Sequence, residues 1–234
     1  MAEDPVLLIT GASSGIGAAT ARRAADSGYR LVLGARREDR VRELATELDG
    51  DERAVATRCD VTEWGDNQAL AQAGLAAFGR IDAVFANAGF GATRGFLEES
   101  PEQWRSMVLT NVLGVALTIR ATLPHLLERG TGHYVLTSSV AGRRSLPGSL
   151  YSATKFAVTA MGEALRSELR QMHDNTGIRV TLIEPGMTDT PFFDERPENA
   201  LADDDIARAV MYALSEPEQV DVNEILVRPT TQAG

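Results

Sequence analysis

Tyr151 and Lys155 stand four residues apart, a spacing that puts both on one face of a helix, about one turn from each other. Such a pair can do acid–base chemistry. A phenol with a pKa near 10 transfers protons poorly at neutral pH. A fixed ammonium beside it favours the phenolate and moves that pKa toward the working range. Taken alone, Y-x-x-x-K is short enough to be a surface tyrosine and a solvated lysine, so its weight comes from what stands upstream. Near the N-terminus, Thr10-Gly11-Ala12-Ser13-Ser14-Gly15-Ile16-Gly17 follows an apolar run and precedes a helical pattern. Glycines there let the backbone turn tightly and approach a pyrophosphate, while the helix N-terminus supplies free N–H donors. The spacing G-x-x-x-G-x-G departs from G-x-G-x-x-G and holds no lysine, which excludes a P-loop nucleotide hydrolase. Gly11, Ser13, Ser14, Gly15, Ile16 and Gly17 are therefore candidate cofactor-binding residues.

The next apolar run ends at Gly34-Ala35-Arg36-Arg37. An NAD site places an acid about 20 residues past the glycines to hold the ribose 2′-hydroxyl. Here Ala35 takes that place and two arginines follow. A guanidinium pairs with a 2′-phosphate that an acid would repel, so NADP is expected over NAD, with Arg36, Arg37 and Ser13 as partners. The same pair could instead open the acidic helix at Glu38 and Asp39 as solvated charge. Cys59-Asp60-Val61 ends the third run. Asp60 either caps the following helix or accepts from an adenine amino group beside Val61. Asn87-Ala88-Gly89 ends the fourth, with small residues that let the chain pass close under a cofactor and an Asn87 amide able to brace adjacent strands.

The elements that must position these residues alternate. Residues 6–10, 31–34, 54–59, 83–86, 134–137, 180–183 and 224–227 read as strands. Amphipathic helices are expected over 18–27, 39–48, 66–78, 102–127, 152–171 and 203–214. That order means crossover connections and a doubly wound parallel sheet of about seven strands, a Rossmann-type α/β fold with helices on both faces. Every motif falls at the carboxyl end of a strand, where ligands bind such sheets, so one site is implied.

Composition bounds the rest. The 234 residues suit one α/β domain over 1–234, and a hydrophobic content of 44% can fill its core. No apolar run reaches the ~18 residues of a membrane span. The acidic opening Met1–Pro5 leads straight into Val6–Ile9 without a signal-peptide pattern. Cys59 is the only cysteine, which excludes an intrachain disulfide and suits a reducing cytoplasm. His125, His133 and His173 are scattered without metal-ligand spacing, so no metal site is expected. The net charge of −10 argues against a nucleic-acid surface.

Several motifs in one order make the chain resemble a short-chain dehydrogenase/reductase over essentially its full length. They are T-G-x-x-x-G-x-G (Thr10–Gly17), Asp60, the turn at Asn87–Gly89, an Asn in the long helix, a Ser upstream of Y-x-x-x-K, and P-G-x-x-x-T (Pro185–Thr190). Ala86 departs from the pattern, standing where the family often has an asparagine. The resemblance implies an oxidoreductase that moves a hydride between nicotinamide and a small-molecule secondary alcohol or carbonyl. Tyr151 would be its general acid/base. Lys155 would lower the Tyr151 pKa and hold the nicotinamide ribose, and a serine would hold the reacting oxygen. Asn111 would support a water between Lys155 and solvent, although the same amide could simply bond its own helix. The serine is Ser138 by distance to Tyr151 and Ser139 by alignment with the strand end, and the strand end is the better guide because loops absorb deletions. Pro185 and Gly186 would turn the chain under the nicotinamide, with Thr188 and Thr190 on its carboxamide.

Residues 191–204, with Phe192 and Phe193, read as a lid, and Phe90, Arg94 and Phe96 as the opposite wall. Arg143 and Arg144 read as a solvated or interface pair. The segment from Val222 to Thr230 resembles NADP-dependent members acting on small hydroxy compounds. Helical stripes at Trp104, Val108, Val112, Val115, Ile119 and Leu123, and at Val158, Met161, Leu165 and Leu169, should mostly cover the sheet. Family members commonly pair these helices, so a dimer or tetramer is expected. Two other readings compete. A non-catalytic NADP-binding regulator is opposed by the intact Ser, Tyr and Lys, and a halide-binding lyase on this scaffold by Lys155 and the glycine loop.

Overall fold

Val6–Thr10, five buried residues in succession, form the first strand, β1. Alternation along it sends Val6 and Leu8 to one face and Leu7 and Ile9 to the other. Each fully buried aliphatic side chain contributes roughly 1.5–3 kcal/mol, and a strand apolar on both sides requires cover on both. The structure is a computed structural model that describes residues 4–91, 95–147, 150–190 and 198–232. After β1 come α1 (Gly15–Asp26), β2 (Arg30–Ala35), α2 (Glu38–Glu47), β3 (Ala54–Arg58), α3 (Trp64–Phe78), β4 (Ala83–Ala86) and α4 (Pro101–Val108). A π-helical turn (Leu109–Leu113) leads into α5 (Gly114–Arg129), β5 (Gly132–Thr137), α6 (Leu150–Gln171) and β6 (Ile178–Pro185). The chain closes with β7 (Thr188–Asp189), β8 (Leu201–Ala202), α7 (Asp203–Ser215) and β9 (Glu224–Val227).

Seven strands pair in parallel in the order β3-β2-β1-β4-β5-β6-β9. This is the doubly wound sheet expected from the sequence. Its winding reverses between β1 and β4, which opens a crevice at their carboxyl ends. Leu70 of α3, Val115 of α5 and Val158 of α6 pack one face; Ala18 of α1, Val41 of α2 and Val210 of α7 pack the other. β7 and β8 pair only with each other and were not expected, since two residues carry no readable period.

The helix expected over 102–127 differs in two ways. The π-helical turn divides it and buries Asn111 there. Its stripe covers the sheet only in the later half: Val115 and Ile119 are buried, whereas Val108, with the adjacent Leu109 and Leu113, is exposed. Such outward apolar residues give the continuous helix Pro101–Arg129 a mean hydropathy of 1.5 over 18 residues, apolar enough for a membrane span. The expectation of no uninterrupted apolar run of that length still stands, since Arg105 and Arg120 bound the uncharged stretch of this helix. Its inner face packs against β4 and β5, and a core helix meets the same compositional test.

Candidate active site

The expected site residues converge. All except Gly17 and Asn111 line one cleft of about 590 Å³ at the carboxyl ends of the strands, a size that suits a small-molecule site.

At the glycine-loop end of the cleft the backbone does most of the shaping. Gly11 (φ +69) and Gly15 (φ +53) adopt the left-handed conformation, and a Cβ on Gly11 would lie 2.9 Å from the Ala88 Cα. Ser14 starts α1 in an extended conformation without a side-chain cap bond, and a helix N-terminus of this kind favours an anion. At Gly17 a Cβ would lie 2.4 Å from the Gly11 carbonyl oxygen, so glycine there lets helix and loop pack. Arg37 donates to the Ser13 Oγ at 2.9 Å and the Ser14 Oγ at 2.7 Å, drawing the two serines and a guanidinium together. Arg36 lines the cleft beside them, exposed, and makes no hydrogen bond or ion pair with the described residues. Asp60 does not cap α3, whose N-cap is Glu63. Its Oδ1 accepts from the Thr62 N–H at 3.1 Å and the Thr62 hydroxyl at 2.8 Å, closing a local turn on the cleft wall.

A chain of polar contacts runs from this end to the other. The Thr10 Oγ1 accepts from the Asn87 and Ala88 N–H groups at 3.1 and 3.2 Å, and the Asn87 amide donates to the Thr10 carbonyl at 3.2 Å. The Asn87 Oδ1 accepts from the Thr137 hydroxyl at 3.3 Å. The Thr137 carbonyl in turn accepts from the Lys155 Nζ at 2.8 Å. Asn87 thus braces β1, β4 and β5, as its residue type suggested.

The serine ambiguity resolves by direction. Ser138 points back into the fold, donating to the Lys155 carbonyl at 3.1 Å and sharing a 2.8 Å hydrogen bond with Thr159. Ser139 hydrogen-bonds the Tyr151 side chain, donates to the Pro185 carbonyl at 3.3 Å and accepts from the Ala141 N–H at 3.1 Å. The Lys155 Nζ sits 5.7 Å from the Tyr151 ring centroid. The expectation that this ammonium brings the phenol toward neutral pH needs correction. Burial pushes Tyr151 up to about 12, opposed only in part by its hydrogen bond to Ser139, and pushes Lys155 down to about 8. Burial is the dominant cause at both groups, and the buried Lys155 Nζ is directed at a carbonyl.

Asn111 lies fully buried behind the cleft. Its Oδ1 accepts from the Phe90 N–H at 3.0 Å; its Nδ2 donates to the Phe90 carbonyl at 2.9 Å and the Thr154 hydroxyl at 3.2 Å. The amide therefore ties the loop after β4 to α6 instead of bonding its own helix. A Cβ on Gly89 would lie 3.1 Å from its Oδ1.

The chain's likeness to known proteins agrees with this layout. A model described as short chain dehydrogenase matches residues 5–201. The chain belongs to that family. An uncharacterized oxidoreductase of Staphylococcus saprophyticus is 38% identical over 245 residues, covering 99% of this chain and 98% of the relative. Among solved structures, an alcohol dehydrogenase of the archaeon Thermococcus sibiricus, complexed with 5-hydroxy-NADP, superposes with a TM-score of 0.87 at 33% identity, over 98% of each chain. A 3-ketoacyl-(acyl-carrier-protein) reductase of Brucella melitensis, complexed with NADH, gives 0.88 at 30% identity, over 97% of this chain and 98% of that one. The protein is an NAD(P)-dependent short-chain dehydrogenase/reductase.

Its residues fit a nicotinamide dinucleotide on their own geometry: left-handed glycines, a helix N-terminus, a polar far end and a Tyr–Lys–Ser cluster lie along one cleft. The strand-end residues Pro185, Gly186, Thr188 and Thr190 form the remaining wall, with the Thr188 hydroxyl donating to the Gly186 carbonyl at 3.1 Å. Arg143 is not a solvated pair member. It bonds the buried Glu184 carboxylate at 2.7 and 2.9 Å and also pairs with Glu224, so it clamps β6 to β9 beside Pro185. Burial pushes the Glu184 carboxyl up and Arg143 opposes that. Phe90 lines the cleft as expected. Phe96 does not, being 60% exposed with its ring edge-on to Trp104. Arg94, Phe192 and Phe193 lie outside the described residues. At the end of the expected lid, Asp203 begins α7 and Asp204 pairs with Arg23. Sequence reasoning missed Val140, Leu146, Met187 and Gln232 as cleft residues. Val140 and Met187 adjoin recognised motifs and were findable; Leu146 and Gln232 carry no local signal.

Proposed function

We propose that this enzyme is an NADP(H)-dependent oxidoreductase interconverting a small-molecule secondary alcohol and its carbonyl, with Tyr151 as the proton-transfer group. The observation that carries the reading is the Tyr151–Ser139 hydrogen bond beside the Lys155 ammonium on the cleft wall. When bound, the nicotinamide supplies or accepts the hydride. Raised to about 12, the Tyr151 phenol is protonated at neutral pH, which suits donation to a carbonyl oxygen in the reducing direction. The Ser139 hydroxyl holds that oxygen. Lys155, charged below its pKa of about 8, favours the phenolate as the proton leaves and would hold the nicotinamide ribose. Asn111 keeps the loop at Phe90 and α6 in register.

The glycine loop, with Val61, Asn87, Ala88 and Gly89, would seat the dinucleotide, Asp60 would accept from the adenine amino group, and Thr188 and Thr190 would meet the carboxamide. The free Arg36 and the Arg37–Ser13–Ser14 cluster, with Ala35 where an acid would favour NAD, support a 2′-phosphate partner. We place the enzyme in the cytoplasm, as a dimer or tetramer formed through the exposed apolar side chains of α4, the π-helical turn and α6. The test is Tyr151→Phe, assayed with NADPH and a panel of ketones and aldehydes. Turnover should fall by about 100- to 10,000-fold while NADPH affinity is kept. A variant that turns over like the wild type ends the acid–base assignment.

A further inference from the structure

The chain approaches its C-terminus by crossing the wall at the nicotinamide-facing end of the cleft. Beyond β9, Pro229 is buried and its carbonyl accepts from the Gln232 N–H at 3.0 Å, a turn that folds the tail back over Gly186. The Gln232 Oε1 then accepts the Met187 N–H at 2.9 Å. Room for this exists only because residue 186 is glycine: a Cβ there would lie 2.3 Å from the Gln232 Oε1 and 3.1 Å from the Arg228 Cα. The Gly186 N–H is held by the Val227 carbonyl at 2.7 Å, and the Met187 carbonyl accepts from the Leu201 N–H at 2.9 Å. Every backbone polar group that could let Met187 swing is thus fixed, one of them by a side chain near the C-terminus.

We propose that Gln232 is a positioning residue: its carboxamide, seated over Gly186, locks the Met187 peptide and so holds Thr188 and Thr190 in place at the nicotinamide end. The proposal rests on the cofactor reading above. It assigns Gly186 a second duty, clearance for the tail, beside the turn suggested by its motif. The contact is a single neutral hydrogen bond at a partly exposed residue, so its loss acts on the loop without unfolding the sheet.

The experiment compares wild type, Gln232→Ala and Gln232→Glu, the last of which keeps an acceptor of the same reach. Three readouts are taken: hydrogen exchange at the Met187 amide, the Kd for NADPH, and the Kd for 2′,5′-ADP, which carries only the adenosine half. In Gln232→Ala, Met187 exchange should quicken and NADPH affinity fall about fivefold, the scale of one net hydrogen bond. Affinity for 2′,5′-ADP should be kept, and Gln232→Glu should restore both NADPH affinity and protection. Equal weakening toward both ligands would mark a merely structural role and overturn the proposal, as would unchanged Met187 exchange. If wild type binds neither ligand, the cofactor reading fails instead, and the proposal falls with it at the nicotinamide end even where Met187 exchange responds.

Discussion

The two ends of the cleft are built on opposite plans. The glycine-loop end rests mainly on β1 through the start of α2, joined by Asp60 and Val61 after β3, and its arginines, Arg36 and Arg37, are exposed and bonded to serines or to nothing described. The other end gathers Ser139, Tyr151, Lys155 and Asn111 from a strand end, a long helix and a π-helical turn, and several of their bonds go to backbone. Exposed charges in water select an anion at little structural cost. Buried ones, with desolvation unopposed by solvent, shift their own pKa values and fix one geometry. Under the proposed function, recognition is therefore adjustable at one end and chemistry rigid at the other.

Substitutions can break or sharpen that contrast. The largest effect beyond Tyr151 should come from the serine pair. Ser139→Ala is expected to lower kcat by about 100- to 1,000-fold, the scale of a lost donor at a reacting oxygen. Ser138→Ala should leave kcat largely intact and cost about 1 kcal/mol of stability, the scale of its buried hydrogen bonds. Steady-state assays with denaturant melts separate the two, and the opposite ranking would return the active hydroxyl to Ser138.

At the other end, Arg36→Ala should weaken NADPH about tenfold, the scale of a lost charge-assisted hydrogen bond, and leave NADH alone. Titration of both cofactors reads this directly. The wild-type preference should shrink as salt rises, because the guanidinium is exposed and screened. Equal losses for both cofactors would mean that Arg36 does not meet the 2′-phosphate.

A further test reads the Tyr151 end by pH. Lys155 titrates near 8 when folded, against an ordinary value of 10.5. The folded state therefore sheds its proton first, and stability rises with pH between those values. Relative to Lys155→Met, the wild type should gain on the order of 3 kcal/mol across that window. Denaturant melts from neutral to alkaline pH check this, and a flat difference for Lys155→Met would refute the buried, depressed ammonium.

How much of the site was legible follows the same divide. The glycine loop, Arg36, Arg37 and the braces at Asn87 could be placed at the cleft because local backbone conformation and residue type mark them. The packing of Gly17 against Gly11 was not legible, because a glycine needed for helix–loop packing looks, in sequence, like one needed for a phosphate. Asn111 was recognised, but its partner Phe90 is remote in sequence, and the π-helical turn that carries it has no compositional mark. Arg143 looked solvated because nothing near it in sequence is acidic; Glu184 and Glu224 reach it only through the pairing of β6 with β9.

Sequence alone determined the alternation of strands and helices, the parallel sheet and the Tyr–Lys pair, because apolar periodicity and residue spacing express local geometry directly. Only the tertiary structure decided which serine meets Tyr151, that burial raises the phenol's pKa, and that a glutamine near the C-terminus bonds the Met187 N–H at the cleft wall. Those outcomes depend on direction and desolvation between segments far apart in the chain, which no local pattern encodes.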